Sequence, residues 1–176
     1  MKVIKLGGSL LDDPRRRGAA LGVPACGISG ADAGTVTAVP HVPLDGVDLG
    51  HVGSVTGGNA VVITALLDRD IMPVVSSVAI GPDGALLNVN ADMAAAAVAV
   101  SLGANVLHFI TDVPGLLDHK GEVVPWLHAR DARAMLDSEV VSGGMRPKLH
   151  AALHALDGGV ALITIGEEGG TQLVAA

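Results

Sequence analysis

The sequence predicts an α/β protein with a mainly parallel sheet. From residue 59 onward, short apolar runs of strand length alternate with helical stretches. Glycine, proline and Asn/Asp clusters punctuate the boundaries between them. The apolar content is Val, Leu, Ile and Ala, with Phe109 and Trp126 the chain's aromatics, a composition suited to strands buried on both faces.

Lys2 to Leu6 is a β-rich run ended by Gly7-Gly8. Leu10 to Ala20 reads as a helical connection, with Asp12-Asp13-Pro14 near its start. Val23 to Ser29 and Thr35 to Val39 read as strands around a turn-rich Gly30 to Gly34. Pro40 to Thr56 reads as irregular and polar. Asn59 to Asp68 is helical, and Ile71 to Val78 is one buried strand. Gly81-Pro82-Asp83-Gly84 turns the chain into a strand at Ala85 to Val89, followed by an Ala-rich helix from Asp92 to Leu102. Asn105 to Thr111 is a strand, Arg130 to Leu136 and Met145 to Leu156 are helices, and Val160 to Ile165 is a strand. Gly170 to Val174 is the candidate last strand.

With 176 residues and 49% hydrophobic content, the chain is one domain or two small lobes that bury roughly 70% of the unfolded surface. Its net charge of −7 and scattered basic residues argue against a nucleic-acid partner. Arg15-Arg16-Arg17 reads as a solvated face. Cys26 stands alone, so no intrachain disulfide forms and a reducing compartment is the default. The N-terminus meets Gly7-Gly8 too soon for a signal peptide. The apolar stretch Met93 to Ile110 is broken by Ser101, Gly103, Asn105 and His108, so it reads as a buried helix and a strand. The expectation is a soluble, cytoplasmic protein with no membrane partner.

Three motifs carry chemistry. Gly7 and Gly8 after the first strand let backbone N–H groups approach an anion, and Lys5 places a positive charge beside them. The same pair is also an ordinary tight turn. Gly143-Gly144-Met145 with Lys148 sets a glycine turn and a lysine at a helix N-terminus, where the dipole favours phosphate. A plain helix start with a solvated lysine is the competing reading. Asn88, Asn90 and Asp92 alternate along a strand entering a helix, so all three are expected to point the same way. Asn90 suits the helix cap and Asp92 the first turn, while a cap leaves Asn88 unexplained.

Lys5-Leu6-Gly7-Gly8, Asn88-Val89-Asn90-Ala91-Asp92 and Gly143-Gly144-Met145-Arg146-Pro147-Lys148, in this order, resemble the amino acid kinase family, and within it the acetylglutamate kinases. Leu49-Gly50-His51-Val52-Gly53, Pro73-Val74-Val75-Ser76-Ser77 and Thr111-Asp112-Val113-Pro114-Gly115-Leu116 add to the likeness. The resemblance implies a three-layer α/β/α fold and ATP-dependent phosphorylation of the side-chain carboxylate of N-acetyl-L-glutamate, in arginine biosynthesis. It implies catalytic roles for Lys5 and Lys148, flanking the transferring phosphoryl group, and for Asp92, holding the lysines. Asn88 and Asn90 would bind the acylated amino acid. Gly7, Gly8, Thr111, Asp112, Gly115, Gly144 and Met145 would lie at the nucleotide, with Mg²⁺ carried on ATP rather than held in a protein metal site. Relatives form homo-oligomers, which is the implied state here.

The family's pattern next runs through a second strand, a His-Gly-Gly-Gly type loop and a β-hairpin bearing a substrate-binding arginine. Here the chain passes from Arg15-Arg16-Arg17 to Gly22-Val23-Pro24-Ala25 with neither. The expectation is a shortened acyl-amino-acid half in residues 1–58 and a nucleotide half in 59–176, with nucleotide affinity better kept than catalysis. A sheet missing an inner strand must re-pair or expose edges.

Other readings compete. One is a non-catalytic nucleotide-binding or oligomerisation module of the same family. Another is a kinase for a protected aminoadipate in lysine biosynthesis. His150 and His154, four apart on a helix, have zinc-pair spacing but no third ligand at sensible spacing, so a helix face is favoured. His51 reads as structural.

Overall fold

The computed structural model describes residues 1–6, 24–42, 47–137, 141, 143–166 and 170–175. In chain order the strands are β1 (Lys2–Leu6), β2 (Ala25–Ser29), β3 (Thr37–Pro40), β4 (Val52–Gly57), β5 (Met72–Ser76), β6 (Val78–Ile80), β7 (Leu86–Val89), β8 (Val106–Ile110), β9 (Trp126–His128), β10 (Leu162–Ile165) and β11 (Thr171–Val174). The helices are α1 (Val61–Leu67), α2 (Ala91–Ser101), α3 (Ala129–Asp137) and α4 (Met145–Asp157). They fall into two compact units, one drawn from Met1–Ala19 and Gly103–Ala176, the other from Ala20–Leu102.

The first unit is built on a five-stranded sheet in the order β1-β8-β10-β11-β9. Strands β1, β8 and β10 run parallel, β11 runs against β10, and β9 runs parallel to β11. Alternation along the strands fills one face with Leu107, Phe109, Ile163, Ile165 and Leu173, all fully buried. Burying each such side chain contributes about 1.5–3 kcal/mol. Helix α4 brings Leu149, Ala151, Ala152 and Ala155 to the core with no exposed surface, and the alanines allow close approach. Arg133 of α3 grips Asp157 of α4 through bonds of 2.6 and 2.8 Å. Both side chains are about half exposed to water, so this pair adds only a fraction of a kcal/mol.

The second unit holds a closed four-stranded barrel, β3-β4-β7-β6, and a separate parallel pair, β2-β5. Helix α2 carries little charge and buries Ala94, Ala96, Ala97, Val98 and Ala99, as expected for an Ala-rich helix inside a core. Helix α1 buries Ile63.

The mixed α/β architecture with mostly parallel pairing is the one the sequence pattern predicts. Two local expectations are corrected. Ile71 to Val78 is not one buried strand: it divides into β5 and β6, and β5, whose ladder partner among the described residues is β2, exposes Met72 and Val74. The stretch read as irregular up to Thr56 contains β4, whose glycine-rich text hides a strand closed by antiparallel pairing with β3. Gly53 is needed there, since a Cβ would meet the Leu87 Cβ at 2.8 Å. Strand β9 carries too short an apolar run to be read from sequence. The helical connection expected at Leu10 to Ala20 and the Arg15-Arg16-Arg17 face lie outside the described residues. Strand β1 stands at the sheet edge, with Ile4 and Leu6 about half exposed.

Candidate active site

Lys5 is the penultimate residue of β1, and its partner across the parallel ladder is Phe109 of β8. Register partners on adjacent strands point to the same face. Lys148 reaches that ring from above, its Nζ lying 5.4 Å from the ring centroid, within cation–π range. The ladder partner of Lys5 is therefore the same buried aromatic residue that Lys148 covers, near the carboxyl ends of parallel strands. That edge is where open α/β sheets take their ligands.

Lys148 is only 6% exposed, which removes the reading of a solvated helix lysine. It lies in the first turn of α4, after Gly143 in the left-handed region (φ 56°) and Gly144 as the N-cap. Met145 opens the helix. No side chain caps α4 among the described residues; the Arg146 N–H of its first turn donates to the Gly143 carbonyl at 3.3 Å.

Thr111 and Asp112 follow β8 at the same strand end, the Thr111 Oγ1 donating to Asp112 Oδ1 at 3.1 Å. Gly115 is fixed by packing, because a Cβ would lie 2.9 Å from Thr171 Oγ1. That hydroxyl accepts the Leu116 N–H at 2.8 Å and ties the loop to β11. Gly7 and Gly8 lie outside the described residues.

In the second unit, Asn90 caps α2 as expected: its Oδ1 accepts the N–H groups of Asp92 at 2.9 Å and Met93 at 3.1 Å. Asn88 and Asn90 are exposed, whereas Asp92 is 7% exposed. The expectation that all three point one way is corrected here. The chain turns into the helix at Asn90, which rotates Asp92 inward. Asn90 also lines an open groove of about 370 Å³ with His41, Leu49, Val52, Ser54 and Met93 among its walls. Sequence reasoning missed His41, because an isolated histidine beside Pro40 carries no motif.

His51 anchors structure through its backbone, its carbonyl accepting the Asn88 N–H at 2.7 Å. His150 and His154 stand exposed on α4, and among the described residues no group of three His, Cys, Asp or Glu is placed to hold a metal. Burial, with Lys2 as a lesser contributor, holds the His108 imidazole below its ordinary pKa.

Architecturally, this is a mixed α/β protein whose functional candidates gather at strand ends and helix starts. Over residues 16–166 the chain matches the amino acid kinase family, and it belongs to that family. It is 44% identical over 135 residues to the acetylglutamate kinase of Geobacillus thermodenitrificans, covering 77% of this chain and 51% of that protein. Over 141 residues it is 45% identical to the acetylglutamate kinase of a Roseiflexus species, covering 80% and 53%. The chain thus spans about half the length of the curated relatives it matches. The solved structure of smu.665 from Streptococcus mutans superposes with a TM-score of 0.79 at 30% identity, covering 94% of this chain and 69% of that one. An N-acetylglutamate synthase from Neisseria gonorrhoeae shares the fold, with a TM-score of 0.75 at 24% identity over 91% of this chain and 40% of its own.

Proposed function

We propose that this chain transfers a phosphoryl group from ATP to the side-chain carboxylate of N-acetyl-L-glutamate, a step of arginine biosynthesis. The observation that carries the reading is the buried Lys148 ammonium over Phe109, the ladder partner of Lys5, in the first turn of a glycine-led helix. The named acetylglutamate kinases at 44–45% identity support it.

The acceptor carboxylate is ionised at neutral pH, so no general base is needed. Catalysis then rests on positioning and on neutralising charge at the phosphoryl group. Lys148, fixed by burial, and Lys5 supply positive charge at the phosphates, and the α4 N–H groups add to it. Thr111, Asp112, Gly115, Gly144 and Met145 face the nucleotide, with Gly7 and Gly8 part of the same assignment. Mg²⁺, bound through the ATP phosphates, would screen their charge. Asn88 and the Nδ2 of Asn90 hold the acylated amino acid, and Asp92 completes the catalytic set. The proposal includes a functional division between residues 1–58 and 59–176, distinct from the packing units. It also includes a homo-oligomer in the cytoplasm. Among the described residues no helix is long and apolar enough to cross a membrane.

The test is calorimetric titration with a Mg²⁺–ATP analogue and with N-acetylglutamate, followed by a coupled assay of ADP release. Lys148→Ala should abolish turnover and Asn88→Ala should weaken the acyl amino acid alone. Binding of neither ligand by the folded chain would sink the kinase reading. Nucleotide binding without N-acetylglutamate binding would favour a non-catalytic nucleotide module.

A further inference from the structure

We infer that His41 receives the second carboxylate of the acylated amino acid, a role that rests on the carboxylate-kinase reading above and deepens it. An N-acylated acidic amino acid carries two carboxylates. One accepts the phosphoryl group, and the other must be met by a cation or by good donors, since an ionised carboxylate against an apolar wall is strongly disfavoured. The groove beside Asn90 is walled largely by Leu49, Val52 and Met93, and its volume of about 370 Å³ suits a small ligand. Among the described residues of its lining, His41 is the one that can carry a positive charge.

The imidazole is positioned rather than loose. The His41 N–H donates to the Val52 carbonyl at 2.9 Å, prolonging the β3–β4 pairing. Its Nδ1 lies 2.9 Å from Ser54 Oγ, which fixes the ring and leaves Nε2 as the nitrogen for a ligand. Nε2–H donates to a carboxylate in two states: as imidazolium, or as the neutral ring whose Nδ1 accepts the Ser54 hydroxyl proton. Asn90, with Oδ1 held in the helix cap, offers its Nδ2 to the same groove.

The experiment titrates the full chain with N-acetylglutamate and with its α-carboxamide analogue, using wild type, His41→Ala and His41→Gln. A Mg²⁺–ATP analogue and thermal unfolding report that each variant is folded. Wild type should prefer the dicarboxylate, and His41→Ala should bind it about tenfold more weakly, as loss of a hydrogen bond to a charged group predicts. The carboxamide, an acceptor without charge, should lose less affinity in the variants than the dicarboxylate does. Should His41→Ala fail to fold, His41→Gln, which keeps bulk without charge, gives the same comparison. Equal wild-type affinity for both ligands, or an unchanged affinity in the variants, overturns the assignment and leaves the kinase reading intact. No binding of N-acetylglutamate by wild type overturns both.

Discussion

Arg146, one residue into α4, donates from Nη1 to the carbonyl of Leu136 near the end of α3, at 2.8 Å. The bond is partly buried and joins the last turn of one helix to the first turn of the next. An arginine at a helix C-terminus also complements the exposed carbonyls there. It therefore holds the very turn that carries Lys148.

Arg146→Ala should destabilise the fold by about 1–2 kcal/mol, the usual range for a hydrogen bond to a charged group. Because the loosened turn carries Lys148, kcat should fall more than the KM for nucleotide rises. Urea unfolding and steady-state kinetics on the same preparation check both. A variant with full kcat and reduced stability would confine Arg146 to structure.

Lys148→Met should separate charge from packing. The methionine still covers Phe109, so the apolar contact is kept while the ammonium is lost. Turnover should drop by roughly 100- to 1,000-fold, as when one transition-state donor is removed. Equal kcat in this variant would remove Lys148 from the chemistry.

Asn90 has two duties that substitution can part. Asn90→Ala should cost about 1 kcal/mol through the lost cap. Asn90→Asp keeps an oxygen acceptor for the Asp92 and Met93 N–H groups, yet loses the Nδ2 donor and brings a negative charge to the groove. It should hold stability while weakening N-acetylglutamate, read by chemical unfolding and by titration.

His108 lies on the opposite sheet face from Phe109, its ring in contact with the Thr164 hydroxyl. Burial lowers its pKa in the folded state. As pH falls below about 6.5 the unfolded chain takes up the proton first, so stability is complete above that value and declines beneath it. His108→Asn should flatten the slope of the thermal midpoint between pH 7.5 and 5.5. An unchanged slope would assign the pH dependence elsewhere.

The parts of this fold legible in the sequence are those where local pattern and tertiary packing agree. Helix α2 is announced by the Asn90 cap and a run of alanines, and β8 by the alternation of Leu107 and Phe109. Strand β4 was hidden because Gly53 and Gly57 lower its propensity, and its pairing partner is brought to it only by a hairpin. The exposure of β5 was equally invisible, since Met72 and Val74 read as core text until what covers their face is known. For the site, glycine turns and lysines pointed to Lys5 and Lys148, but nothing local linked either to Phe109. Burial of Lys148 is a property of the assembled unit, as is the seat of His41 beside Ser54.

The pairing of Lys5 with Phe109 joins the beginning of the chain to its later half, with the whole second unit, Ala20–Leu102, strung between them. During synthesis that middle unit is complete before β8 has emerged. Strand β1 must wait, offering Ile4 and Leu6 without a neighbour, for the residues that will receive it. Closing so long a loop is slow relative to forming local contacts. The ladder that seats Lys5 beside Phe109 thus closes late, and a nascent chain is most prone to pair β1 with a stranger in the interval before β8 arrives.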